Sequence, residues 1–517
     1  MHGRTDTTLT AERDGAVRYD LLARLGIVLI VAAIFFWRTP ATFIHPQFYG
    51  EDAIFFFHAR VDGWHVVTMI LAGYLTLTQG LVALAASYLS PVLAPAAYVY
   101  TSIALTLTVA WLATSPRLDL PYKPLLAIAI VIVPMGREEL GSPCDIQWIL
   151  PIGAFAMMFM RDARSLTVRA GEAIFAALVA LTGPFSAFLA PLYLVAAWQA
   201  APAERPRLLV LCAIMAIGGA VQAALIVTHP IPVAPYTSSP AAWITIPFNQ
   251  IATTFGVYGR PFDGWWGASI GAALILAGVA IAGVRPYRLQ KLFILLFGLS
   301  IAIGGLYKYR EALPSQANAM RYFYIASVFA LWFICCMATR RCWFAGLVAA
   351  IEIATLPFIG NQPMIPDNLE WANWARFIDV GLPVLIPTPP AGWYVGFKAT
   401  PSGPLATFAP WLGKNIAGLA RIDPSACQGT IGAISEQSGT SVTSNYRVAG
   451  ASVLWPISGT VSSGVEWIAV TDKVGTVTAF GWTGFQGSRW QAVLTTRPDG
   501  PQAFGIVDNG KRACPLS

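Results

Sequence analysis

Long apolar runs alternate with short polar clusters through the first 360 residues. The runs occupy 22–38, 94–114, 123–137, 146–160, 170–183, 185–200, 208–228, 265–284, 291–306, 321–338 and 343–360. A helix needs about 20 apolar residues to cross a hydrocarbon layer. The pattern therefore predicts a polytopic α-helical membrane protein with about 11 transmembrane helices, several with indistinct ends. Basic residues collect between the runs. Arg13, Arg18 and Arg24 precede or open the first, and Arg161/Arg164/Arg169, Arg205/Arg207, Arg285/Arg288/Lys291 and Arg340/Arg341 follow, with a weaker pair at Arg117 and Lys123. Placing these clusters in the cytoplasm gives a consistent alternation, with the N-terminal segment 1–21 inside and the C-terminus outside. The apolar stretch 64–90 disturbs this parity if it spans. Residues 51–90 are therefore read as external helices in the interface, where Phe55, Phe56, Phe57 and Trp64 would sit, or as a hairpin that preserves parity.

The pattern changes after Gly360. Residues 361–399 are rich in Pro and Trp and read as a connecting segment after the membrane domain 22–360. Residues 400–517 contain short alternating runs between Gly, Ser and Asp, such as Val465–Val470, Thr476–Phe480 and Trp490–Leu494. Alternation with β-branched residues predicts an all-β extracytoplasmic domain, a small β-sandwich.

Composition agrees with this division. Hydrophobic residues make up 56% of the 517 and charged residues 11%, against about a quarter charged in soluble domains. The net charge of +7 is spread through the loops rather than gathered in a patch, which argues against nucleic acid as a partner. The run Leu22 to Trp37 is followed by Arg38-Thr39-Pro40 without a small-residue cleavage site, and reads as an uncleaved first helix. Of seven cysteines, Cys212, Cys335 and Cys336 sit in apolar runs as core residues. Cys427 and Cys514 bracket the C-terminal region, and outside the cytoplasm they are a candidate disulfide.

Three polar loops carry candidate chemistry. In the first, Glu51 and Asp52 open an aromatic helix. They either complement its N-terminus or supply a general base whose basicity rises on desolvation. A divalent cation on Glu51 and Asp52 is possible in composition, but two ligands specify no metal. The second loop runs from Gly136 to Trp148, with Glu138, Glu139, Asp145 and Gln147. Trp148 there is an interfacial anchor, or the polar residues line a sugar site. The third holds Lys308, Arg310 and Arg321 beside Tyr322 on the side where the orientation rule disfavours cations. Either they pair with the acidic loops or they bind phosphate. Glu352 lies mid-run and should face a cavity or a partner. Glu172 reads as a snorkelling side chain near a cytoplasmic end. Gly183-Pro184 breaks an apolar stretch. No phosphate-binding loop, zinc-protease motif or dinucleotide fingerprint occurs.

This layout resembles the GT-C superfamily of integral membrane glycosyltransferases, in a bacterial branch with a C-terminal β-sandwich. The matching pieces are Gly50-Glu51-Asp52, Gly73-Tyr74-Leu75, the segment Glu139 to Trp148, Thr182-Gly183-Pro184-Phe185, Arg321-Tyr322 and Pro389-Pro390-Ala391-Gly392-Trp393. They extend over roughly residues 20–395. The resemblance implies a multi-pass enzyme of the bacterial cytoplasmic membrane that moves a sugar from a polyprenyl-phosphate donor to a glycan or lipid acceptor outside the cytoplasm, with inversion. It implies Asp52 as base with Glu51 beside it, and donor-phosphate binding by Arg310, Arg321 and Lys308. Substrate-binding residues would be Tyr74, Glu139, Gln147, Trp148 and Tyr322. Adjacent Glu-Asp departs from the Asp-x-Asp form of some families, so a metal requirement does not follow. The competing readings are a transporter or flippase working through Glu352 and the break at Pro184, and a non-catalytic polysaccharide-assembly protein. Hydropathy shows no pair of similar halves.

Overall fold

The structure is a computed structural model. It describes residues 6–133, 139–230, 245, 264–308, 321–337, 343–359, 371–372 and 375, together with eight β-strands after residue 383. The described residues are mostly helical and divide into two units. One comprises 1–44, 67–82 and 99–364, the other 45–66, 83–98 and 365–517.

In the first unit the chain forms α1 (Asp6–Arg38), α2 (Pro40–Ile44), part of α4 (Leu77–Ser87) and most of α5 (Ala94–Ala113). There follow α6 (Lys123–Ile132), α7 (Leu150–Met158), α8 (Leu166–Ala180), α9 (Phe185–Gln199), α10 (Arg205–Thr228), α11 (Gly264–Ala282), α12 (Arg288–Lys308), α13 (Arg321–Met337) and α14 (Trp343–Ile359). Each of the apolar runs read from the sequence thus carries an α-helix over part or all of its described length. Among the described residues, three helical stretches are long and apolar enough to cross a membrane: Asp20–Arg38, Ala94–Ala113 and Arg205–Thr228. Leu22, Leu29 and Trp37 on α1, and Val210, Ile217 and Val227 on α10, face outward. Exposed leucine and valine in such number suit hydrocarbon as a solvent.

The shorter helices differ. The nine residues of α7 rise roughly 14 Å, about half a hydrocarbon thickness. All nine are buried. α7 packs against α8 and α9, while α6 is enclosed by α1, α13 and α14. Close approach of α10 to its neighbours uses Gly218, where a Cβ would lie 2.5 Å from that of Ala180. Small residues allow such backbone contact between apolar helices.

Glu172 does not snorkel. It is buried between two arginines, with Arg207 Nε donating to Oε2 at 2.7 Å and Arg117 Nη1 lying 2.6 Å from Oε1. Arg207 also donates to the carbonyls of Met157 and Met160, both at 2.9 Å, at the C-terminal end of α7. The node closes over a short antiparallel contact in which Asp119 N donates to Phe159 O and Arg161 N to Arg117 O.

Residues 64–90 do not form one continuous helix. A 3-10 turn over Gly63–Thr68 leads to a two-residue hairpin, β1 (Ile70–Leu71) with β2 (Tyr74–Leu75), and then to α4. The eleven residues of α4 rise roughly 16 Å, too little to span alone.

The second unit contains α3 (Asp52–Asp62) and the strands β3 (Val384–Thr388), β4 (Trp393–Phe397), β5 (Ser452–Ser458), β6 (Val465–Thr471), β7 (Val477–Trp482), β8 (Arg489–Thr495), β9 (Phe504–Asp508) and β10 (Arg512–Pro515). Six strands form a sheet in the order β10-β9-β6-β7-β3-β4, and β5 pairs with β8. The alternating runs therefore coincide with β6, β7 and β8. The hairpin β3–β4 falls in the segment read as a connector, yet it enters the sheet through the pair Val384↔Phe480. Pro387 lies three residues beyond that pair, so its missing N–H disturbs no bond to β7. Phe55 and Phe56 belong to the core of this unit, not to an interfacial face, whereas Trp64 is exposed.

Candidate functional site

After α6 the described residues 139–145 form no regular helix before the 3-10 turn Ile146–Trp148. Every residue from Glu139 to Leu150 is buried. Burial of Trp148, at 6% exposed, corrects the reading of it as an interfacial anchor. The Trp148 ring meets Phe185 edge to face at 5.0 Å and Tyr322 at 4.9 Å. Glu139 is fully enclosed, and both it and Arg38 lie within electrostatic range of the Tyr324 phenol. Arg38 Nη1 donates to Val131 O at 2.9 Å and Val133 O at 2.7 Å, which closes the C-terminal end of α6 just before the loop. Tyr324 donates to Ile130 O at 2.6 Å.

A second layer braces the loop. Gln222, a lone amide in the apolar α10, binds both backbone atoms of Leu75. Leu75 N donates to its Oε1 at 2.8 Å, and its Nε2 donates to Leu75 O at 3.0 Å. Tyr74 is buried in the same hairpin. Thr78 and Thr182 share a hydroxyl hydrogen bond at 2.7 Å, and Gly183 N donates to Leu75 O. Gly183 has φ +81°, and a Cβ there would lie 2.9 Å from Gln147 Oε1 and 3.3 Å from the Phe185 ring. Only glycine adopts this backbone without strain while leaving room for the amide. From α4, Gln79 Nε2 donates to Cys144 O at 3.1 Å.

Three buried atoms in this neighbourhood have no hydrogen-bond partner among the described residues: Gln79 Oε1, Gln147 Oε1 and Trp148 Nε1. Buried polar atoms are nearly always satisfied, so each asks for an occupant. Two amide oxygens and one indole N–H suit a group that both donates and accepts, as hydroxyls do. The aromatic walls Trp148, Tyr322 and Phe185 favour a ligand with C–H faces.

The acidic pair lies in the second unit. Glu51 stands at the N-cap position of α3 and makes no side-chain capping hydrogen bond there. Asp52 is 1% exposed, on a helix whose buried face continues through Phe55 and Phe56. Its Oδ2 accepts from Tyr49 N at 3.3 Å. Phe48, two residues before that turn, packs against Tyr98 at 4.8 Å and Trp371 at 4.4 Å. Strand β4, which begins at Trp393, runs alongside α3.

The sequence-derived candidates thus separate. Tyr74, Glu139, Gln147, Trp148 and Tyr322 lie in the first unit, and the last four share the loop or its walls. Glu51 and Asp52 lie in the second. Arg321 opens α13 with its guanidinium 5.6 Å from the Tyr322 ring. Lys308 ends α12. Arg310 and Cys427 lie outside the described residues, and Cys514 is in β10. No three His, Cys, Asp or Glu side chains gather as a metal-ion set among the described residues. Gln79, Gln222, Thr78 and Arg38 were not picked out from the sequence as site residues, and Thr182 entered only within the motif Thr182-Gly183-Pro184-Phe185. A solitary Gln in a 24-residue apolar helix was the one clear signal, because polar groups within such helices need a reason. No family model, no curated protein and no solved structure matches the chain.

Proposed function

We propose that this chain is a membrane glycosyltransferase of the GT-C kind, transferring a sugar from a polyprenyl-phosphate donor to a glycan or lipid acceptor outside the cytoplasm. The observation that carries this reading is the buried loop 139–148 with its unpartnered Gln147 Oε1 and Trp148 Nε1. Irregular polar backbone inside an apolar helical unit is tolerated where protein buries it or where it lines a site. Here the open valences and aromatic walls have the chemistry of a hydroxyl-rich ring.

In this proposal Asp52 takes the proton of the acceptor hydroxyl as the new glycosidic bond forms, and Glu51 orients it or holds a divalent cation. Burial of Asp52 among aromatic residues supports the role of base. The donor's bond from anomeric carbon to phosphate oxygen breaks, and Lys308, Arg310 and Arg321 neutralise the departing phosphate. A single in-line displacement inverts the anomeric centre. The broken stretch 64–90 supports the proposed orientation, with eleven spans, an inside N-terminus and an extracytoplasmic β-domain. The bacterial cytoplasmic membrane is the corresponding location.

Membranes carrying the protein, incubated with labelled polyprenyl-phosphate sugars, test the proposal. Label should move to an acceptor, and Asp52→Asn at equal membrane abundance should lower transfer by about two orders of magnitude or more. Undiminished transfer by Asp52→Asn would remove Asp52 as base. No transfer by the wild type from any such donor would remove the enzyme.

One observation favours a transporter instead. Glu352 in α14 is 4% exposed, and its Oε1 has no partner among the described residues. A donor that crosses the bilayer unchanged, in a manner lost in Glu352→Gln, would favour that reading.

A further inference from the structure

The helices α11 to α14 line a partly open apolar cavity of about 520 Å³. Its lining includes Ile281 of α11, Ile294 and Gly298 of α12, Ala330 and Met337 of α13 and Leu347 of α14, and every lining residue is apolar. Ile351 reaches it, whereas its neighbour Glu352 does not. Packed protein interiors leave few voids larger than a water molecule. An apolar lining gives water nothing to bond, so water is not the occupant. The outer faces of these helices are apolar as well, with Leu276, Val279, Leu296 and Ile303 exposed. Hydrocarbon is thus both the fitting occupant and the surrounding solvent.

The cavity runs along the middle of α12, from Ile294 to Ala302, and along α13 from Ala326 to Met337, with the C-terminal half of α11 and the N-terminal half of α14. Its lining reaches the helix ends on the side of the α11–α12 connection, at Ile281 and Met337. Lys291 closes this end, donating to Ile281 O at 3.1 Å and Val284 O at 2.6 Å with Met337 Sδ at 4.0 Å. Arg285 and Arg288 are exposed on the same connection. Lys308 and Arg321, the cations assigned above to the donor phosphate, lie at the opposite ends of α12 and α13. On α11 and α13 the lining extends to Ile281 and Met337, near the arginine-bearing connection, and on α13 it stops at Ala326, five residues short of Arg321.

We propose that the cavity holds an acyl chain of an anionic phospholipid whose phosphate rests on Arg285 and Arg288. Guanidinium groups bind phosphate in forked pairs, and an acyl chain supplies the matching apolar surface. The lipid is a bound component of the α11–α14 layer, and the proposal does not depend on glycosyl transfer.

The test uses the full chain purified in mild detergent. Bound lipid is followed by native mass spectrometry, and thermal unfolding is followed with added phosphatidylglycerol, phosphatidylcholine or polyprenyl phosphate. Phosphatidylglycerol should remain bound and raise Tm most. Ala330→Phe should lose the bound lipid and the Tm response. Gly298→Val fills the same space from α12, where a Cβ meets its nearest neighbour at 3.8 Å, and should do likewise. The pair Arg285→Gln/Arg288→Gln should abolish the preference for phosphatidylglycerol over phosphatidylcholine. Folded Ala330→Phe and Gly298→Val proteins that bind lipid as the wild type does would overturn the proposal, as would displacement of phosphatidylglycerol by polyprenyl phosphate. Should both variants fail to fold, wild-type protein with a phosphatidylglycerol bearing a photoreactive acyl chain decides the matter. Crosslinks on the cavity lining support it, and crosslinks confined elsewhere refute it.

Discussion

Two of the places where the helical unit buries polar groups treat them differently. At the Glu172 node each carboxylate oxygen has a guanidinium nitrogen within 2.7 Å, and Arg207 gives its remaining nitrogens to Met157 O and Met160 O. In the loop 139–148, Gln147 Oε1 and Trp148 Nε1 have no partner among the described residues, and Gln79 Oε1 beside them has none either. Both places lie in apolar surroundings where an unmet polar group is costly. The node is compensated in charge, although Arg117 Nη2 has no hydrogen-bond partner among the described residues, and it holds helices and connections together. A loop left with open valences, while braced by Gln222, Gly183 and Thr182, is where the proposed reading places a ligand. On that proposal, polar burial serves folding in one place and function in the other.

Breaking the node should have the largest effect on stability. Glu172→Ala leaves Arg207 buried without its counter-charge and should cost about 3–5 kcal/mol, read as a lower Tm and reduced membrane abundance. A loss below about 1 kcal/mol would mean the node does not hold the fold. Gly183→Ala forces a side chain into positive φ and toward Gln147 and should cost about 1–3 kcal/mol, with transfer reduced as well. Wild-type stability in Gly183→Ala would show that the turn relaxes freely. Gln147→Leu removes an amide oxygen that lacks a described partner and should change stability by no more than about 1 kcal/mol, in either direction. Destabilisation as large as that of Glu172→Ala would erase the contrast between the two places. The smallest effect belongs to Trp148→Phe, which keeps an aromatic ring against Phe185 and Tyr322 but loses the N–H. Its stability should shift by roughly 1 kcal/mol at most, while the Michaelis constant for the donor rises.

Much of this arrangement was legible along the chain. Apolar runs such as 94–114 and 208–228 match α5 and α10 closely, because helix formation and apolar length leave the same mark in sequence. Hydropathy does not distinguish a helix that faces lipid from one enclosed by other helices. Hence α7, wholly buried and nine residues long, looked like a span. Trp148 looked interfacial because the carboxylates before it suggest water, yet the loop is buried, and only its partners in α4, α10 and the Gly183 turn explain how. Glu172 looked like a snorkelling residue because Arg117 and Arg207 are 55 and 35 positions away. Phe55 and Phe56 looked interfacial because an aromatic run carries no record of which face is buried. The hairpin β3–β4 was hidden by Pro387 and the surrounding Pro-rich composition, which on its own argues against a sheet. Trp148, Gln147 and Tyr322 were identifiable as candidates. Gln79 and Thr78 were not, since their role rests on contacts across long separations.

Gln147→Leu tests the meaning of the open loop most directly, with transfer from a labelled polyprenyl-phosphate sugar and thermal unfolding measured on the same membrane preparation. The expected result is a Tm close to wild type with transfer reduced roughly ten-fold or more, about the loss of one hydrogen bond to the sugar. A folded Gln147→Leu protein that transfers sugar at the wild-type rate would contradict the assignment of this loop to the substrate.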